Sequence, residues 1–253
     1  MHLLKIVAAA FCVAMLAVVG YLALFVMPEE GRHREVNAQW AKDRDVAFAS
    51  AEARTRRSDG MISTLRATFP QDFAAQAGLL EQARENPSLV VRERVQIDIV
   101  RNMVRSHAAY TRLAGAAALR DVVKTRRDML AAMMATGAIS QCASMFTDAQ
   151  SSPLPNDERL LEADAAHLKA QLAAEAQGSS SPAEYGEYGA ADDQALRAAI
   201  ASIVTDIPDP AAPFQGRPDM EACRLGILRD DARLLLPDGG VFERTAIASL
   251  PRT

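Results

Sequence analysis

The sequence predicts an all-α protein: a single N-terminal transmembrane helix followed by an irregular multi-helix bundle domain. Three observations carry that expectation. Ala and Leu lead the apolar residues, which make up 49% of the chain, while aromatics reach only 5%; Ala and Leu favour helix, whereas sheets draw on β-branched and aromatic side chains. Residues 6–27 (IVAAAFCVAMLAVVGYLALFVM) run without a single charge. Beyond them, apolar positions recur at helical spacing between Pro and Gly punctuation. The 253 residues leave room for an anchor and one domain of roughly 200 residues, enough to bury a core.

After a short tail at 1–5, the uncharged run of 22 residues spans about 33 Å as a helix, matching a hydrocarbon core of about 30 Å. Tyr21 suits an interfacial position. A cleaved signal peptide has an apolar stretch of only about 7–15 residues. Here the one tolerable small-residue site, Val18-Val19-Gly20, would leave further apolar residues on the mature chain. Cys12 follows Phe11, which does not suit a lipoprotein signal. The reading is an uncleaved, single-pass anchor in contact with membrane lipid. Orientation rests on opposed signals. Arg32, Arg34 and Lys42 after the span favour a cytoplasmic C-terminal side, yet long domains translocate largely regardless of flanking charge.

The cysteines break that tie. Cys142 and Cys223, 81 residues apart, are the only thiols beyond the span. Such a pair reads as one disulfide across an exported domain, worth about 4–5 kcal/mol in the chain-entropy treatment. Only four of the 28 basic residues are Lys, and this Arg- and Ala-rich usage suggests a GC-rich bacterial source. The expected location is therefore a bacterial inner membrane, with the C-terminal domain periplasmic. A net charge of −4 argues against nucleic acid as the partner, since phosphate backbones need a sustained basic surface.

Pro28 to Gly31 leave the membrane, and residues 28–58 read as a charged juxtamembrane or stalk helix with Val36, Trp40, Ala47 and Ala51 on one narrow stripe. Asp59-Gly60 is expected to stop it and to open the soluble helical domain, 59–253. A segment from Ile62 ends at Phe69-Pro70. Pro70 fits the first position of the next helix, with Phe69 and Phe73 bracketing its start, and Asn86-Pro87 closes it. Ser88 to Ala135 reads as the longest helical stretch, with Gly115 marking a bend or break and Thr136-Gly137 ending it. Asn156 is expected to cap a helix carrying Leu161, Ala165, Leu168 and Leu172. Gly178 to Gly189 (GSSSPAEYGEYG) reads as a mobile surface loop. Helices then follow over Asp192–Ile207 and Asp219–Leu236, and a short final element near Val241–Ser249 is read as helix in preference to strand.

The clearest functional pattern is a charge asymmetry. Residues 92–127 hold nine basic and three acidic side chains, and residues 157–206 hold ten acidic and three basic. Helices that complement one another explain this simply. A sharper reading makes Arg101, Arg105 and Arg112, with His107 and Tyr110 nearby, a face for an anionic partner such as headgroups, cell-wall polymer or acidic protein, because Arg forks suit phosphate and carboxylate. Catalytic and metal residues are not nominated. His107 and His167 lie beside no nucleophile or ligand at a recognised spacing, and no phosphate loop, G-x-S-x-G, H-E-x-x-H or CxxC occurs, so no cofactor is implied. Asp192-Asp193 and Asp230-Asp231 are adjacent and diverge on a helix. The expectation is a non-enzymatic binding or scaffolding protein of the bacterial envelope, its protein or polymer partner unknown. The alternatives are an envelope hydrolase whose site assembles only in three dimensions, and an accessory subunit of a transport or secretion assembly.

Overall fold

Helices account for all the regular structure in the computed structural model, which describes residues 58–146, 154–155, 157–203, 206–210 and 212–250, with Gln39 and Lys42. Ten helices and no strand occur among these residues, so the class is all-α. The chain divides into two units, Met1–Ala53 and Arg54–Thr253. In the first, Gln39 and Lys42 are helical and exposed. The expected span at 6–27 and nearly all of the stalk at 28–58 lie outside the described residues. No helix among the described residues is long and apolar enough to cross a membrane.

In the second unit, α1 covers 58–68 and α2 Pro70–Glu85. Helix α3 is Leu89–Ser106, α4 Ala108–Thr111 and α5 Ala116–Ala135. Helix α6 is Ile139–Ser144, α7 Glu158–Ser180, α8 Ala190–Ser202, α9 Asp219–Leu234 and α10 Val241–Ala248. Helix α7 is the spine. Its Leu160 joins a core with Met129, Leu130, Met133 and the two cysteines. Leu168 and Leu172 join Leu65, Phe73, Val100 and Met103 of α1 to α3. Ala174 joins Leu119, Val122, Leu225 and Phe242 of α5, α9 and α10. One long helix thus lends successive turns to three apolar clusters, which is how a chain poor in aromatics still encloses continuous cores.

Several boundaries differ from expectation for identifiable reasons. Asp59 and Gly60 do not stop a helix but lie inside α1, where Asp59 accepts from Gln96 of α3 at 2.6 Å. The Ser88–Ala135 stretch is three helices. Its first break falls at His107, whose ring Nδ1 lies 2.9 Å from the Met103 carbonyl, and the next at Arg112–Gly115. Helix α7 is capped by Asp157, which accepts from the Leu160 amide at 3.1 Å; Asn156 lies outside the described residues. The loop expected from Gly178 begins only after Ser180, because Gly178 is buried where α7 crosses α4. A Cβ there would sit 1.9 Å from the Tyr110 carbonyl oxygen, so only glycine admits the crossing. Helix α8 ends at Ser202, ahead of the β-branched Ile203-Val204-Thr205. Ile207 is still buried, but from non-helical backbone. The final element is a helix, entered through Gly239 and Gly240 at positive φ.

Candidate functional site

The two cysteines come together. Cys142 in α6 and Cys223 in α9 form a disulfide with Cα atoms 5.4 Å apart, and both are fully buried. The crosslink ties the short α6 to α9 beneath the N-terminal turn of α7, where Leu160 packs.

The nominated anionic-partner face does not assemble as one surface. Arg101 donates to Asp164 of α7 at 2.8 Å, and burial raises the Asp164 carboxyl while Arg101 opposes the rise. Arg112 donates to the Leu250 carbonyl at 3.2 Å. His107 is buried and stacked on Phe69, ring centroids 3.9 Å apart, and its Nε2 lies 2.8 Å from Asp72. Arg105 is exposed. Helical spacing puts Arg101, Arg105 and Arg112 on one face only if the helix is continuous, and the break at His107 removes that condition.

Ser106, His107 and Asp72 form a chain that resembles a nucleophilic triad, with Ser106 Oγ 3.4 Å from His107 Nδ1. The proton inventory argues against it. The Ser106 hydroxyl donates to the Met103 carbonyl at 2.8 Å, and His107 Nδ1 faces that same carbonyl. The serine proton is thus directed at the Met103 carbonyl and not at the ring, and Nδ1 faces that carbonyl more closely than it faces the hydroxyl.

Arg120, Arg126 and Arg127, also in this stretch, hold the C-terminal segment. Arg126, buried, forks onto Asp230 of α9 and reaches both the Ser249 hydroxyl at 2.9 Å and the Ser249 carbonyl at 3.1 Å. Arg233 shares Asp230 at 2.7 Å, and burial lowers its guanidinium to about 10. Arg120 donates to the carbonyls of Leu234 and Leu236, the free end of α9, and lies over the Phe242 ring. Arg127 faces Asp231 at 3.5 Å. Asp192 receives both forks of Arg244, which holds its carboxyl below the usual range. The adjacent acid pairs are therefore held by arginines, and the basic stripe finds its acids mainly on α9 and not on the acid-rich α7 and α8.

Two buried groups on α7 escaped sequence reasoning. Glu175 is fully enclosed; burial pushes it up to about 8, and the Thr111 hydroxyl offsets only part of that. His167 lies 3.2 Å from the Thr125 hydroxyl, and burial, reinforced by Arg126, lowers it to about 3. No group of three metal-binding side chains occurs among the described residues.

Two small clefts open among the described residues. One, of about 390 Å³, lies between α1, α2 and α3 and is lined by Asp59, Ile62, Ser63, Arg66, Arg84, Arg92 and Gln96. A second, of about 230 Å³, includes Tyr188, Arg197 and Arg229, whose guanidinium groups are engaged by Asp193 and by the Ala212 carbonyl.

Fold and sites define a class, a disulfide-crosslinked all-helical domain braced by buried arginine clamps. The chain has no significant match among known protein families, curated proteins or solved structures.

Proposed function

We propose that the protein is a single-pass, membrane-anchored component of the bacterial envelope whose helical domain lies in the periplasm and binds or scaffolds other envelope constituents. The supporting observation is the cysteine pair: two thiols 81 residues apart in sequence meet with Cα atoms 5.4 Å apart inside a packed core. Disulfides persist in oxidising compartments and are rare in the cytosol. The uncharged run at 6–27 supplies the anchor in this reading, and membrane lipid is the partner of that segment. A binding role fits a domain whose open spaces are small clefts and whose buried charges are spent on bracing helices.

The test is made in intact cells. The full chain is trapped with a thiol-reactive mass tag, before and after reduction, and a compartment-sensitive reporter is fused at the C-terminus. The expected result is that Cys142 and Cys223 are labelled only after reduction and that the reporter is active outside the cytosol. Free thiols without reduction, together with a reporter active in the cytosol, would overturn the assignment.

A further inference from the structure

We propose that the cleft between α1, α2 and α3 is a binding site for an anionic phosphoryl group, held by Arg66, Arg84 and Arg92. This deepens the binding role above by naming the chemistry of a ligand. Three successive helices each contribute an arginine to the lining of the same 390 Å³ space. Among the described residues, the carboxylate in the lining is Asp59, which accepts from the Gln96 amide at 2.6 Å.

The arginines of this cleft differ from those that brace the helices. Arg126, Arg233, Arg244 and Arg101 are each satisfied by a carboxylate within hydrogen-bond distance. Arg66 instead stacks over the Phe73 ring, 4.9 Å from its centroid. Among the described residues, neither Arg66 nor Arg84 meets a hydrogen-bond acceptor or a carboxylate, and Arg84 is exposed. Arg92 spends only Nε, on the Asn86 carbonyl at 2.6 Å. Stacking fixes the plane of Arg66, and the Nε bond fixes that of Arg92, so forks are oriented before any ligand arrives.

Gathering like charges in a concave, partly desolvated space is unfavourable without a counter-ion, and such a cleft focuses its field on an incoming anion. Planar forks match tetrahedral phosphoryl oxygens through paired N–H donors. Gln96 is buried and fixed at both ends, accepting from Ser58 and donating to Asp59, which sets the floor of the cleft. The Ser63 hydroxyl adds a neutral donor at the wall. The volume suits one headgroup or one small phosphate ester, at the lower end of ligand-site sizes.

The experiment titrates the full chain in a neutral maltoside detergent with inorganic phosphate, by calorimetry and thermal melting, at ionic strength held constant with chloride. Phosphate is expected to bind and to raise the melting midpoint. The Arg66→Ala/Arg84→Ala variant is expected to bind about tenfold more weakly or worse, as for loss of charged hydrogen bonds, while Arg105→Ala, outside the cleft, behaves as the parent. Equal affinity in parent and double variant, or no distinction between phosphate and chloride, would overturn the proposal. If the double variant loses its helical circular dichroism, Arg84→Gln replaces it, since Arg84 is exposed and free of contacts; undiminished binding there overturns the site equally. Mixed micelles with phosphatidylglycerol or phosphatidylcholine identify the source. A larger midpoint rise with the anionic lipid assigns a headgroup, and a rise only with inorganic phosphate assigns a free phosphate. The titration is indifferent to compartment, so its failure is separable from failure of the envelope assignment, which thiol trapping reads.

Discussion

Glu175 offers a direct test of how this core holds charge. The folded domain keeps its proton up to about pH 8, whereas the ordinary carboxyl releases it near 4.5. Stability linked to that proton is complete below pH 4.5 and is lost as pH rises towards 8, at about 1.4 kcal/mol per pH unit and with a ceiling of about 5 kcal/mol. His167 acts in the opposite sense. It stays neutral in the fold down to about 3 against an ordinary 6.5, so its contribution is complete above 6.5 and is lost as pH falls towards 3. The two slopes oppose each other between 4.5 and 6.5, and only Glu175 acts between 6.5 and 8. In that interval the parent should lose about 2 kcal/mol that Glu175→Gln does not lose. Urea unfolding of the oxidised full chain in neutral detergent, at pH 6.5 and pH 8, measures both proteins. Parallel profiles for parent and variant would refute the reasoning, because they would mean that Glu175 is ionised and partnered in the fold.

Four further outcomes follow from the same contacts. His167→Gln should flatten the acid limb, the difference from the parent changing by about 3 kcal/mol between pH 6.5 and 4 in urea midpoints. Asp230→Ala strands Arg126 and Arg233 in the interior and should cost about 3–5 kcal/mol, read by chemical unfolding at neutral pH; a cost under about 1 kcal/mol would mean that the cluster is hydrated. Gly178→Ala drives a methyl into the Tyr110 carbonyl and should destabilise by about 3 kcal/mol, whereas exposed Gly186→Ala, strained only at its own φ of 74°, should lose less. Reducing Cys142–Cys223 should lower stability by about 4–5 kcal/mol, visible as an earlier melting midpoint with reductant than without.

How far the sequence reveals this fold depends on which signal each helix carries. Pro70 and Asn86-Pro87 bracket α2 because proline acts locally, through its fixed φ and missing N–H. Thr136-Gly137 marks the end of α5 for the same kind of reason, with Gly137 at φ 77°. Stripes of apolar residues are a weaker guide. Along α7 the buried positions include Leu160, Asp164, His167, Leu168, Leu172 and Glu175; of the expected stripe, Leu168 and Leu172 are buried and Leu161 and Ala165 half-buried, and the stripe misses Asp164, His167 and Glu175 because they are polar. Their burial is decided by partners on other helices, Arg101 and Thr125 among them, which no local pattern encodes. The break at His107 is equally hidden: it resets the helical phase, so Tyr110 and Leu113 are more than a third exposed although their spacing extends that of Ile99 and Met103. The disulfide was legible because there were only two thiols to pair. The six-residue α6 that carries Cys142 was not, being held by tertiary contacts and lacking any capping side chain.

The same distinction governs the charges. Counting basic residues along 92–127 finds arginines that share a stretch of chain, and in the folded domain two of them, Arg120 and Arg126, turn to close α9 and α10 onto α5, through Asp230, Ser249 and the carbonyls of Leu234 and Leu236. A guanidinium so engaged has spent its donors on the protein and offers a ligand little. Arg66 and Arg84 lie outside that stretch, and Arg92 only opens it, with Asp72, Glu81 and Glu85 interspersed between the three, so no linear pattern groups them. What sets them apart is that the fold brings all three to one cleft, where Asp59 is the carboxylate among the described lining residues and accepts from Gln96. Net charge and linear clustering therefore point to the braces of this domain, and unspent donors in a shared space point to its ligand.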